Sequence, residues 1–176
     1  PLDTLSKLVE GLPVDVKVKI PGILVIDTPG HEAFFNLRRR GGSIANFAIL
    51  VVDVTAGVMP QTVESIEILR SRNTPFIVAA NKIDLIKGWQ PQGTLSVIAS
   101  LGKQSASVKR ELEVKMYQII GRLSELNITA DLFSNVKDFE RYVAVIPVSA
   151  RTGEGISELI AIIIGMTQSF LAGGIA

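Results

Sequence analysis

Four short, mostly apolar runs separated by stretches of helical spacing most constrain how this chain can fold. The runs are 23–27, 48–53, 76–80 and 142–148. Apolar runs of this length between turn residues are typical of strands buried on both faces of a parallel sheet. The helical stretches are 61–71, 107–126 and 156 to about 171. This alternation predicts an α/β fold of three layers, built on a mostly parallel, doubly wound sheet.

The segments between these elements are less regular. Residues 2–9 have helical spacing, residues 14–20 alternate as an edge strand does, and a short helix is predicted near 34–37. Residues 87–104 show little periodicity and are rich in Gly, Ser and Gln, so they predict a long insertion loop. A second irregular stretch, 127–141, contains Phe133 and Phe139 as expected anchors to the core.

The bulk composition is that of a single packed domain. The 176 residues are 47 % apolar, and the net charge of +1 argues against a surface dedicated to polyanions. The absence of cysteine excludes disulfides and thiolate metal sites. The longest apolar run, 159–166, is too short to cross a bilayer. We therefore expect a cytoplasmic protein without membrane partners.

Three of the predicted strands end in polar loops. These loops are Asp27-Thr-Pro-Gly30, Asn81-Lys-Ile-Asp84 and Ser149-Ala150. Because the carboxyl ends of parallel strands lie along one edge of a sheet, the three loops should meet there. Taken alone, Asp-Thr-Pro-Gly is also a common turn and Ser-Ala is a weak signal; Asn-Lys-Ile-Asp is a stronger one, although Asn and Asp also simply end strands. All three in this order predict a nucleotide site.

The residue types in these loops fit a guanine nucleotide. Asp84 offers two acceptor oxygens for the paired N–H donors of guanine, which adenine lacks. Asn81 can bridge two loops and face the base, and the Lys82 stem can lie over the ring. The Ala150 N–H would donate to the guanine oxygen, and the Gly30 N–H would approach a phosphate.

The three loops resemble the third, fourth and fifth signature elements of P-loop GTPases. Asp27-Thr-Pro-Gly-His-Glu-Ala-Phe34, with residues 37–38 and 40–42, resembles the translation initiation GTPases. Gly88-Trp89 and the two insertions are more similar to the archaeal and eukaryotic initiation factor five-B family than to bacterial initiation factor two. The resemblance spans essentially the whole chain and implies a G domain that binds GTP or GDP with Mg²⁺.

The resemblance also implies roles for single residues. Asp27 would hold Mg²⁺ through a water, and Gly30 would sense the γ-phosphate. His31 would be the catalytic residue that positions the attacking water. Loss of the γ-phosphate would release the segment from Gly30 to about Ser43. The nucleotide-binding residues implied are Asp27, Gly30, Asn81, Lys82, Asp84, Ser149, Ala150 and Arg151.

The expected parent protein hydrolyses GTP and promotes the joining of ribosomal subunits. Arg38–Arg40 would contact ribosomal RNA near the switch segment, although a solvated helix face explains these arginines equally well. The initiator tRNA machinery would be contacted through other domains. Two alternatives are a non-catalytic GTPase-like docking module and another translational GTPase, the latter opposed by Glu32-Ala-Phe34 and Gly88-Trp89.

The phosphate-wrapping motif Gly-x-x-x-x-Gly-Lys-Ser/Thr is missing from this sequence. Its nearest match, Gly102-Lys103-Gln104, has Gln in place of the hydroxyl residue and Val97 in place of the first glycine. By resemblance, the first strand, P-loop, first helix and first switch precede Pro1, so 1–176 is expected to be a partial G domain.

This truncation has consequences for the sheet and for activity. The missing strand would lie between 23–27 and 48–53. The gap is expected to be closed by direct pairing of those strands, by strand exchange with another copy, or by borrowed residues. The fragment alone is expected to be inactive.

Overall fold

The computed structural model describes residues 23–27 and 47–173. The strands are β1 (Ala48–Asp53), β2 (Phe76–Asn81), β3 (Ala130–Leu132) and β4 (Val143–Pro147). The helices are α1 (Pro60–Ser71), α2 (Val97–Gly102), α3 (Ala106–Glu125) and α4 (Ile156–Gly173). A 3₁₀ turn covers Ile83–Leu85. The predictions for 2–9, 14–20, 34–37 and 38–40 lie outside the described residues.

The four strands form one parallel sheet in the order β1-β2-β4-β3. Three of them and the helices α1, α3 and α4 begin and end within two residues of the predicted bounds. The α/β class with a mostly parallel sheet is therefore confirmed. Among the described helices, none is both long and apolar enough to span a membrane.

Alternate residues of the central strands pack into two separate cores. Val78 and Ala80 join the core formed with α1 and α3, whereas Ile77 and Ala79 join the core that includes Ile163 of α4. The predicted stripe of α3 is buried as a whole; its members are Val108, Leu112, Met116, Ile119 and Leu123. Helices thus cover both faces of the sheet, which gives the three expected layers.

Strand β1 is buried on one face only, so the prediction that it is buried on both is wrong. Leu50 and Val52 pack into the core, but Ile49 is 37 % and Val51 59 % exposed. The reason is that β1 lies at the end of the sheet, where no described helix covers its second face.

The predicted buried strand at 23–27 is also wrong. These residues form no strand, and Leu24 is 87 % and Val25 75 % exposed. Ile23 alone packs partly against the core on the α4 side of the sheet. Among the described residues β1 pairs only with β2, so direct pairing of 23–27 with β1 is not observed. An apolar run forms no strand where no neighbouring strand offers it hydrogen bonds.

The insertion 87–104 is ordered rather than a long loop. It contains α2 and buries both Trp89 and Gln104. Ser96 caps α2 by accepting a hydrogen bond from the Ala99 N–H. A helix of six residues is too short to show a periodic stripe, so the sequence pattern does not reveal it.

The second irregular stretch contains the three-residue strand β3, which was not predicted. It pairs with β4 at the other end of the sheet. Phe133 and Phe139 are partly buried against the core, as expected for anchors.

Candidate nucleotide-binding site

The carboxyl ends of β1, β2 and β4 lie side by side along one edge of the sheet. Asp53 at the end of β1 is in register with Asn81 at the end of β2. Ala80, one residue earlier, is in register with Pro147 of β4. The loops that follow β2 and β4 therefore start from neighbouring positions, which brings their polar residues together.

The Asn81 side chain links these two loops. Its Oδ1 accepts a hydrogen bond of 2.8 Å from the Lys82 N–H and one of 2.9 Å from the Ala150 N–H. Donation by the Ile83 N–H to the Val148 carbonyl, at 3.3 Å, adds a backbone link between the same loops. The loops after β2 and β4 therefore form one unit before any ligand binds.

Asp84 is fixed in the same unit by Ser149. The Ser149 hydroxyl donates to Asp84 Oδ1 at 2.6 Å, and the Asp84 side chain is 8 % exposed. Arg151 Nη1 lies 4.0 Å from Asp84 Oδ2, and the Arg151 side chain is almost fully exposed. Because the arginine is solvent-exposed and the distance is long, this ion pair contributes little stability. A carboxylate has about four acceptor positions, so this one can still accept N–H donors of a ligand.

Lys82 adopts a left-handed backbone conformation with φ of 70°. Its Nζ lies 2.7 Å from Asp53 Oδ2. Asp53 Oδ1 accepts from both the backbone N–H and the hydroxyl of Thr55, at 2.8 and 2.6 Å. Burial raises the pKa of Asp53, but the hydrogen bonds from Lys82 and Thr55 and the lysine charge outweigh it and lower the pKa to about 2.

Asp53 was not among the predicted site residues. The signal that could have identified it is the position of an aspartate directly after the apolar run of β1, as in the 23–27 segment. Its register with Asn81 places it one residue from Lys82, which explains the ion pair. Sequence alone does not give this register.

The structure thus joins six residues into one cluster, which we call the edge cluster: Asp53, Asn81, Lys82, Asp84, Ser149 and Ala150. Arg151 lies at its rim. Asp27 is exposed, and no hydrogen bond or ion pair between described residues joins it to the edge cluster. Gly30 and His31 lie outside the described residues.

The donor and acceptor types of the edge cluster are those that recognition of guanine would need. The Asp84 carboxylate matches two adjacent N–H donors, which guanine presents on its Watson–Crick edge. Within 23–27 and 47–173, no group of three or more His, Asp or Glu could hold a metal ion. The Ala150 N–H, predicted to donate to guanine, donates here to Asn81, so a bound base would share or replace that acceptor.

A parallel sheet with such a cluster of polar residues on its carboxyl edge is typical of nucleotide-binding α/β domains. The sequence model of the family "Elongation factor Tu GTP binding domain" matches residues 10–169. This match covers most of the chain, and the chain therefore belongs to that family of GTP-binding domains.

The chain is also similar to individual proteins of known sequence. The chain is 55 % identical over 174 residues to the probable translation initiation factor IF-2 of Hyperthermus butylicus, covering 97 % of this chain and 28 % of the relative. It is 51 % identical over 173 residues to the corresponding protein of Aeropyrum pernix, with the same coverage.

The chain is also similar to a solved structure. The crystal structure of GDP-bound aIF5B from Aeropyrum pernix matches with a TM-score of 0.89 and 51 % identity, over 97 % of this chain and 29 % of that chain. The chain therefore spans less than a third of the length of these relatives.

Proposed function

We propose that this chain supplies the guanine-recognition side of the G domain of a GTP-hydrolysing translation initiation factor that promotes the joining of ribosomal subunits. The observation that carries the proposal is the edge cluster, in which Asn81 holds Ala150 and Ser149 holds Asp84. Membership of a GTP-binding family and similarity to proteins named IF-2 support it.

Guanine would be recognised through its N–H donors and its oxygen. The Asp84 carboxylate would accept from N1–H and from the exocyclic amino group, while the Lys82 stem covers the ring. The Ala150 N–H would donate to the guanine oxygen. Adenine presents an amino group at that position and lacks the paired donors, so it would be rejected.

The phosphate end of the nucleotide would be handled by the segment that begins at Asp27. Its carboxylate would hold Mg²⁺ through a water, because Mg²⁺ prefers oxygen ligands and keeps several of its waters. The Gly30 N–H would contact the γ-phosphate and His31 would position the attacking water. A P-loop from a preceding segment would complete the site, and the coverage of the relatives supports such a longer parent.

The partners follow from the proposed function. Arg38–Arg40 would contact ribosomal RNA, and other domains of the parent would reach the initiator tRNA machinery. The parent would act in the cytoplasm. Strand exchange between copies of the isolated fragment is supported by the outer edge of β1, which among the described residues pairs with no strand other than β2. Sedimentation of the fragment would then show a dimer, and a monomer at all concentrations would contradict this part.

The test is calorimetric titration of GDP and ADP into this chain and into a version extended at its N-terminus along the parent reading frame. We expect GDP binding and GTP hydrolysis only in the extended protein, no ADP binding in either, and loss of hydrolysis with His31→Ala. Absence of GDP binding in both would contradict the proposal and favour the docking module. Equal GDP binding in both would contradict the expected inactivity of the fragment.

A further inference from the structure

The insertion 87–104 is attached to the segment after β4 by two buried carboxylates. Glu154 is 0 % and Glu158 3 % exposed. Glu158 accepts hydrogen bonds from the Ser96 hydroxyl at 2.5 Å and from the N–H groups of Val97 and Ile98 at 3.1 and 3.2 Å. It therefore anchors the N-terminus of α2 on α4.

Glu154 receives donors from both sides of this contact. From the insertion, the Trp89 indole N–H donates at 3.0 Å, the Gln92 N–H at 3.2 Å, and the Ser100 hydroxyl also donates. From its own loop, the Thr152 hydroxyl donates at 2.6 Å. Burial raises the pKa of Glu154, but these hydrogen bonds outweigh it and hold the pKa below its usual value.

The hydrogen bonds continue from Glu154 into the edge cluster. Thr152 also donates its backbone N–H to Ser149 Oγ at 3.1 Å, and Ser149 Oγ donates to Asp84 Oδ1 at 2.6 Å. The Ser149 N–H donates to the Glu154 carbonyl at 2.8 Å. Hydrogen bonds made by Glu154, Thr152 and Ser149 therefore connect Trp89 to Asp84.

The directions of these hydrogen bonds determine which group donates to the Asp84 carboxylate. The Ser149 hydroxyl has one proton, and because its oxygen already accepts from the Thr152 N–H, that proton is directed to Asp84. The Glu154 carboxylate accepts from the Thr152 hydroxyl and so fixes the position of Thr152. The backbone N–H of Thr152 is the donor that orients the Ser149 hydroxyl. A shift of Thr152 would turn the hydroxyl and release one oxygen of the base-reading carboxylate.

The backbone of the same turn is fitted closely to the insertion. The N–H groups of Gly155 and Ser157 both donate to the Leu95 carbonyl, at 2.9 and 3.1 Å. Gly153 approaches Leu95 so closely that a Cβ would lie 2.9 Å from its side chain. A displacement of the insertion would therefore also displace the turn that carries Ser149.

We propose that the insertion sets the selectivity for guanine by acting through Glu154, which is a positioning residue for the Ser149–Asp84 pair. Trp89 and Ser100 are its partners on the insertion side. This inference rests on the proposed guanine-nucleotide function and assigns a role to a segment outside the three loops that resemble the signature elements of P-loop GTPases.

Glu158 provides the matched control. It is as buried as Glu154 and binds the same insertion, yet among the described contacts none links it to Ser149 or Thr152. A purely structural role of the insertion would make Glu154→Gln and Glu158→Gln equivalent at the edge cluster. A positioning role would make them different.

Amide hydrogen exchange on the chain itself tests the positioning without any nucleotide. In Glu154→Gln, the amides of Ser149, Ala150 and Thr152 should exchange about tenfold faster than in Glu158→Gln. Thr152→Val, which removes one hydroxyl and leaves the insertion contacts of Glu154 intact, should give the same increase. Equal exchange in the two glutamate variants, or no increase in Thr152→Val, would overturn the proposal. If Glu154→Gln fails to fold, Trp89→Phe replaces it.

Selectivity is measured in the N-terminally extended protein with GDP and inosine diphosphate, which lacks the exocyclic amino group. Glu154→Gln and Thr152→Val should reduce the preference for GDP about fivefold or more, and Glu158→Gln should leave it unchanged. An unchanged preference in all variants would overturn the selectivity role. Failure of the wild-type protein to bind GDP would instead contradict the proposed function, while the exchange experiment would still decide the positioning.

Discussion

Lys82 Nζ lies 2.7 Å from Asp53 Oδ2, so the lysine of the Asn81–Asp84 loop is held against the end of the neighbouring strand. The left-handed backbone of Lys82, with φ of 70°, directs the loop away from the line of β2. The ion pair restricts the lysine side chain, which would lower the entropy lost when its stem covers a base as proposed above.

The first prediction concerns the pH dependence of this ion pair. Asp53 has a pKa of about 2, below its ordinary value of 3.8, so its stabilisation is complete above pH 3.8 and is lost as the pH falls through 2. Because the lysine is half exposed, we expect Asp53→Asn to cost only about 1 kcal/mol at neutral pH.

Urea unfolding between pH 5 and about pH 2 measures this effect. The wild-type free energy of unfolding should fall more steeply than that of Asp53→Asn as the pH drops below 3.8. Parallel curves for the two proteins would show that the ion pair does not contribute to the free energy of unfolding.

The second prediction concerns Gly155, where α4 begins. Its φ is 85°, and an added Cβ would lie 2.2 Å from the Pro147 carbonyl oxygen, which is backbone and cannot move aside. Gly57 has a similar φ of 74° but open space around the added atom. We expect Gly57→Ala to cost about 1 kcal/mol from backbone conformation, and Gly155→Ala to cost about 3 kcal/mol or more.

Thermal unfolding of both glycine variants provides the comparison. The reduction in Tm should be at least twice as large for Gly155→Ala as for Gly57→Ala. Equal reductions would mean that the contact with Pro147 relaxes without cost.

The third prediction concerns the link between the loops after β2 and β4. Asn81→Ala removes the acceptor of the Ala150 N–H, which is exposed to solvent once released. We expect exchange of this amide to rise about tenfold, because a hydrogen bond of roughly 1 kcal/mol is lost. Asn135→Ala is the control, because this exposed asparagine donates its side-chain amide to Asp131 and lies outside the edge cluster, and it should leave the Ala150 amide unchanged.

The sequence predicts the central strands and long helices well because their apolar periodicity is strong. The buried stripe of α3 and the β2 and β4 strands follow directly from that periodicity. The loops Asn81–Asp84 and Ser149–Ala150 were expected on one edge, and parallel topology brings them together for the reason given in advance.

The errors arise where burial depends on a neighbour. Residues 23–27 and the outer face of β1 have the composition of buried strands, yet no described element covers them. The residue composition of a segment indicates that it can form a buried strand. It does not indicate whether a neighbouring strand or helix is present to cover that segment. The insertion was missed because its helix is short and because single hydrogen bonds, such as those of Trp89 and Gln104, leave no periodic pattern in the sequence.

The central claim is that the Asp84 carboxylate recognises guanine. Replacing one acceptor oxygen of this side chain by a donor tests the claim most directly. In the N-terminally extended protein, Asp84→Asn removes an acceptor for the guanine amino group and introduces a donor that suits the oxygen of xanthine at the same position. We predict that Asp84→Asn weakens GDP binding about 100-fold and strengthens binding of xanthosine diphosphate, as measured by calorimetric titration. An Asp84→Asn protein that binds GDP as tightly as the wild type and gains nothing for xanthosine diphosphate would contradict the account.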